Sequence, residues 1–109
     1  MHFFSVSINI MSKQLLSVSD PTKAQANAFK YLGPNAVLYQ STDKQKKYMI
    51  LNPHTNSFVS FGSIFYQDYT KHQDDNRRDK YLKRSANIKG DWQNNPYSPN
   101  NLSIHILWA

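Results

Sequence analysis

The chain has 109 residues, with 13 Lys and Arg against seven acidic residues, all of them Asp, for a formal net charge of +6. It holds no Cys and three Gly, which excludes disulfide scaffolds, thiolate zinc sites and cysteine nucleophiles and argues against glycine-rich phosphate loops. Aromatic residues make up 14% of the chain, a share that suits one small domain with an aromatic core and not a disordered tail.

Residues 1–18 read as an extended N-terminal arm. Phe4, Val6, Ile8 and Ile10 alternate as in a strand, and such an arm adding a strand to a neighbouring subunit would give a homo-oligomer. The opening has no basic start and no small-residue cleavage pattern, so no signal peptide is expected. No run approaches the roughly 18 apolar residues of a membrane span. Residues 19–109 then form the single domain.

Ser19-Asp20-Pro21 is a helix start, with a capping side chain followed by the preset φ of proline. Ala24, Ala28, Phe29 and Leu32 follow at helical spacing, and Gly33-Pro34 ends the run. Three β-like runs come next, over 36–40, 47–52 and 57–61, with Pro53-His54-Thr55-Asn56 as a turn between the last two. They predict a three-stranded antiparallel meander. Tyr48 and Ile50 alternate with Met49 and Leu51, a pattern that fits a strand covered on both faces. An aromatic link, 63–70, leads to a second helix from Asp74 or Asp75 to about Ile88, with acids in its first turn and Arg84 and Lys89 near its end, as the helix dipole favours. Ser98-Pro99 repeats the cap-plus-proline signal and predicts a final helix over 100–108, in competition with the strand-like alternation of Leu102, Ile104 and Ile106. The fold class is therefore α+β: a small meander packed with two or three short helices.

The helix after Asp74 carries most of the functional information. At about 100° per residue, Tyr81, Leu82, Ser85 and Ile88 share one arc, whereas Arg77, Lys80, Lys83 and Arg84 form a basic stripe beside it. Arg78 falls inside the apolar arc. A buried guanidinium needs a partner, so Arg78 is expected to meet Asp68 or Asp74 and an aromatic face from Tyr66 or Tyr69. Lys44, Lys46 and Lys47 form a second basic cluster that would extend the stripe. Solvated helix faces carry such stripes routinely, yet the same pattern on phosphates is an electrostatic footprint for nucleic acid.

Catalytic kit is sparse. The sequence has no G-x-S-x-G, Walker A or H-E-x-x-H motif, and its four His share no metal-ligand spacing. Asp68, His72 and Asp74 are the one place where a divalent ion could serve phosphodiester cleavage; capping and turn duties explain the same residues. No enzyme, cofactor or metal is therefore expected, and a metal-dependent nuclease is the third reading.

From Lys47 to Trp108 the chain carries an ordered set of motifs. They are Lys47-Tyr48-Met49, Phe61-Gly62, the run 68–74, the run 77–84, Ile88-Lys89-Gly90-Asp91-Trp92, the run 97–103, and Leu107-Trp108. This stretch resembles a family of small uncharacterised proteins from large double-stranded DNA viruses, with mimivirus-like members. Ser60 stands where a His often precedes the Phe-Gly pair in that family, and Phe65 where a Gly precedes the Tyr. The resemblance implies a viral origin and no settled activity, and it implies residence in the virion or the infected-cell cytoplasm. Physically, the matched residues read as a packing kit in which Phe61, Tyr66, Tyr69, Tyr81, Leu82, Trp92, Leu107 and Trp108 form one aromatic cluster. Asp68, Arg78, Trp92 and Trp108 are thus expected to be structural.

The first functional reading is a non-enzymatic viral structural or adaptor protein, a minor virion component that meets an acidic partner, protein or nucleic acid, through the basic helix face. The alternative is a nucleic-acid-binding protein with Arg77, Lys80, Lys83 and Arg84 on phosphates. Neither reading involves a membrane or a small-molecule cofactor.

Overall fold

The computed structural model describes residues 11–109, and the apolar alternation of residues 1–10 lies outside them. The element order is α1 (Lys13–Val18), α2 (Pro21–Leu32), β1 (Leu38–Gln40), β2 (Lys46–Asn52), β3 (Ser57–Ser63), α3 (Tyr69–His72), α4 (Asp75–Ala86), a 3-10 turn (Trp92–Asn94), α5 (Pro99–Leu102) and a π-helical turn (Ser103–Leu107). The three strands form one antiparallel sheet in the order β1-β2-β3, so the expected α+β meander is present. Among the described residues no helix is long and apolar enough to cross a membrane.

Residues 13–18 form a helix where an extended arm is expected. Ser12 caps α1 by accepting from the Leu15 amide, and Leu15 is fully buried. The domain therefore begins at least as early as α1, because a single leucine on a six-residue helix supplies part of the core. Asp20 caps α2 by accepting from the Thr22 and Lys23 amides, and Pro21 occupies its first turn. Ala24 and Ala28, one helical turn apart, face inward. The small methyl groups let the helix approach the C-terminal segment, to which it is also tied by Asn27 Nδ2 donating to the Ile106 carbonyl at 2.8 Å and by Tyr31 stacked on His105 at 4.3 Å.

In the sheet, Leu38 pairs with Ile50 and Tyr48 with Phe61, and all four are buried. On the opposite face of β2 Lys47 is buried, Met49 is half-buried and Leu51 is 41% exposed. The strand is thus covered on both faces at its start and on the Tyr48–Ile50 face alone toward its end. The outer edge of β1 is closed by a side chain of α2. Gln25 donates its amide to the Ala36 carbonyl at 2.6 Å and accepts from the Leu38 amide at 2.9 Å.

The final segment is helical, as expected, and not a strand. Ser98 caps α5 through the Asn101 amide, and the Trp108 amide reaches the Ser103 carbonyl at 3.1 Å in the five-residue spacing of a π turn. This turn buries Ile106 and Leu107 and brings Trp108 to 9% exposure. The aromatic cluster is only partly as expected. Phe61, Leu107 and Trp108 are core, with Tyr69, Tyr81 and Leu82 packed against it. Tyr66 is instead 70% exposed, on a link that turns outward after β3. Trp92 is half-buried outside the core, where its indole N–H donates to the Ile88 carbonyl at 2.7 Å. Its own carbonyl accepts from Ser98 Oγ and Asn101 Nδ2. The indole thus holds the loop after α4 and does not fill the centre. Helix α4 ends at Ala86, two residues earlier than expected, which leaves Ile88 in solvent.

One glycine is demanded by two constraints at once. Gly62 has φ +80°, and a Cβ there would lie 2.6 Å from Leu107 Cδ1 and 3.3 Å from Lys47 Cδ. Left-handed backbone costs an L-residue about 1–2 kcal/mol, and overpacking costs about 1–3 kcal/mol more. Gly62→Ala is expected to lower the thermal midpoint by roughly 10 °C or more, measured by circular dichroism. Gly33→Ala, at φ +103° with no atom within 4 Å of the new Cβ, should lower it by clearly less.

Candidate functional site: a basic aromatic groove

Two neighbouring lysines on β2 have opposite fates. Lys46 is exposed, whereas Lys47 is buried and pairs with Asp68 at 3.1 Å, the two side chains being 3% and 0% exposed. Lys47 is therefore not an exposed member of the predicted patch, although it lines the groove described below. The absent side chain of Gly62 gives its stem room beside Leu107, and its ammonium reaches the carboxylate at the start of α3. Burial pushes the Lys47 amine below the usual lysine range, and the facing Asp68 carboxylate opposes that drop.

Asp68 is also the end of a chain of hydroxyls. Its Oδ1 accepts from the Thr70 amide at 3.0 Å and from the Thr70 hydroxyl. With its one proton spent there, Thr70 Oγ1 accepts from Ser19 Oγ at 3.1 Å and from the Asp20 amide at 2.9 Å. Ser19 Oγ in turn accepts from the Tyr48 hydroxyl at 2.8 Å. Every proton in the chain points the same way, toward the carboxylate. Burial pushes the Tyr48 phenol far above its ordinary value, so it remains a donor.

These commitments decide Arg78. Asp68 is taken by Lys47, and Asp74 caps α4 by accepting from the Asn76 and Arg77 amides. Arg78 meets neither of its expected carboxylates. Its Nε donates instead to the Trp108 carbonyl at 2.8 Å, and its guanidinium carbon lies 5.4 Å from the centre of the Tyr69 ring. The expected aromatic contact is thus made by Tyr69, and the expected ion pair is replaced by a backbone acceptor.

His72 sits against the same corner, its ring 5.2 Å from Trp108 and 6.1 Å from Tyr69. Its Nδ1 accepts from the Asp74 amide at 2.9 Å, and its Nε2 is buried with no hydrogen-bond partner. Asp68, His72 and Asp74 each have a separate duty, and among the described residues no group of three or more His, Cys, Asp or Glu is placed to hold a metal ion.

The basic residues gather elsewhere. A groove of about 560 Å³ opens between α4, the end of β3 and the C-terminal segment. Lys46, Arg77, Lys80 and Arg84 stand around it, with Tyr66 on one wall and Tyr81 with Trp108 on another. Tyr81 and Trp108 are stacked at 4.1 Å with 6° between their planes, so that wall is stiff. Asn100 and Ser103 add polar groups, and no carboxylate lines the groove. Lys46, Arg77, Lys80 and Arg84 are all exposed. Among the described residues the ion pairs are Lys47–Asp68 and Lys83–Asp79, and neither involves these four.

The stripe therefore divides. Arg77, Lys80 and Arg84 share the groove and are joined from the sheet by Lys46 and by Lys47, whose charge is paired with Asp68. Lys83 turns away and pairs with Asp79 at 3.1 Å in solvent, and Lys44 is exposed but does not line the groove. The sequence reads Tyr66 as a core ring or a face for Arg78 and Trp108 as core, and gives Asn100 and Ser103 no binding role. The one available signal for Tyr66 was its place in a link with no helical or strand period to bury it.

Residues 36–85 match the model of a family of unknown function, DUF5754. That span holds the meander, α3 and almost all of α4, including Lys46, Arg77, Lys80 and Arg84, but not the C-terminal wall of the groove. No curated protein and no solved structure matches the chain.

Two outcomes follow from the corner around Asp68. Asp68→Asn strands the Lys47 charge in a dry site and is expected to cost about 3–5 kcal/mol in urea unfolding. Adding Lys47→Met should recover part of that loss, because the uncompensated charge is gone. The second concerns acid. Burial and the nearby Arg77 hold His72 below the ordinary 6.5, while Asp74 and Asp68 oppose them. The unfolded chain therefore takes up this proton first, and stability should fall as pH drops below about 6.5. Unfolding midpoints between pH 7.5 and 5 should show the decline, and His72→Gln should flatten it.

Proposed function

We propose that this protein is a non-enzymatic binding module that holds an acidic partner in the groove between α4, the end of β3 and the C-terminal turn. One observation carries the reading. Four exposed cations, contributed by a helix and a strand far apart in sequence, converge on one groove whose lining contains no carboxylate. Like charges brought together repel, a bound anion offsets that repulsion, and their combined field attracts acidic ligands before contact. The one buried lysine in its lining, Lys47, is paired with Asp68, and His72 packs against Tyr69 and Trp108 outside the lining.

The family resemblance of residues 47–108 supports placing this module in a large DNA virus, as a virion-associated adaptor. The match of residues 36–85 to a family of unknown function adds nothing about its partner.

The test must separate the groove from general basicity. On an immobilised sulfated polysaccharide, Arg77→Ala/Arg84→Ala should elute at markedly lower salt than the parent. Lys13→Ala/Lys30→Ala removes the same charge from exposed positions on α1 and α2 and should elute close to the parent. Equal elution of the two double variants would overturn the groove as the binding surface. The viral placement is tested by mass spectrometry of purified particles, in which the protein should be present.

A further inference from the structure

We infer that the groove takes single-stranded nucleic acid, with a base laid against Tyr66 and the neighbouring phosphates on Lys46, Arg77, Lys80 and Arg84. The inference rests on the reading of the groove as a site for an acidic partner and names that partner's chemistry. Its volume, about 560 Å³, falls within the roughly 300–1,000 Å³ of ligand sites. Charge alone would serve an acidic peptide equally well. The aromatic wall would not, because carboxylate side chains gain little from a ring face. Tyr66 keeps 70% of its surface in water beside four cations, which is the pairing of stacking platform and phosphate track that single strands use. A duplex keeps its base faces stacked inside, so it can offer the groove phosphates only.

The opposite wall supports the same geometry. The Tyr81–Trp108 stack is backed by the Arg78 bond to the Trp108 carbonyl, which ties this wall to α4. Asn100 donates to the Ser85 carbonyl at 3.2 Å, which leaves its side-chain oxygen free to accept from a base edge. Ser103 lies beside it in the lining.

The experiment is fluorescence anisotropy with a labelled ten-nucleotide oligo-dT and its RNA counterpart, a duplex of equal length, and labelled polyglutamate. Each is titrated at several salt concentrations. Both single strands should bind more tightly than the duplex and polyglutamate. Four phosphate contacts predict a slope of log affinity against log salt of about −3. Tyr66→Ala, at a surface position, should weaken oligonucleotide binding about ten-fold with the slope unchanged. Arg84→Ala should weaken it and shrink the slope by about one. Equal binding of polyglutamate and oligonucleotide, or an unaffected Tyr66→Ala, would overturn the nucleic-acid assignment and leave the acidic-partner reading standing. Absence of binding to every one of these polyanions at low salt would overturn both.

Discussion

The fold turns on the buried pair between Lys47 and Asp68. Two opposite charges withdrawn from water are costly unless their geometry and remaining hydrogen bonds are good. Here the carboxylate is served on one side by the ammonium and on the other by the amide and hydroxyl of Thr70. The hydroxyl chain through Ser19 to Tyr48 extends that service across the core. It joins the middle strand, the bend between the first two helices and the start of α3.

That fixed corner sets the next layer. With Asp68 and Asp74 both occupied, Arg78 turns to the Trp108 carbonyl and the Tyr69 face, and so fastens α4 to the C-terminal segment. Arg77, one residue earlier and about 100° around the helix, points into the groove. Two adjacent arginines thus do opposite work. One holds the wall in place from behind, and the other presents charge to whatever enters. The stack of Tyr81 on Trp108 belongs to both layers, core on one side and groove wall on the other.

Much of this was readable along the chain because it depends on neighbours in sequence. Asp20-Pro21, Asp74 and Ser98-Pro99 are local cap signals, and each opens the helix it announces. The meander follows from alternation and turn residues in the same way. What escaped depends on distant partners. Nothing in Lys46-Lys47 tells which lysine is buried; that was settled by Gly62 across the sheet and Asp68 beyond it. The Arg78 acceptor is a backbone carbonyl, which leaves no mark on the residue that bears it. Trp92 has the composition of a core residue, but a hydrogen bond to Ile88 keeps it at the rim. Leu15 lies on a helix too short to show a period. The groove itself combines a helix, a strand end and a terminal turn, and only their packing makes it one surface.

The amide of Gln25 has a consequence for how copies of this protein coexist. A sheet edge with idle backbone groups invites pairing with another chain. By engaging the Ala36 carbonyl and the Leu38 amide, this side chain stands in for a missing neighbour strand at that point. Those two groups are therefore not on offer to a strand of another copy, and self-pairing along this stretch would first have to displace Gln25.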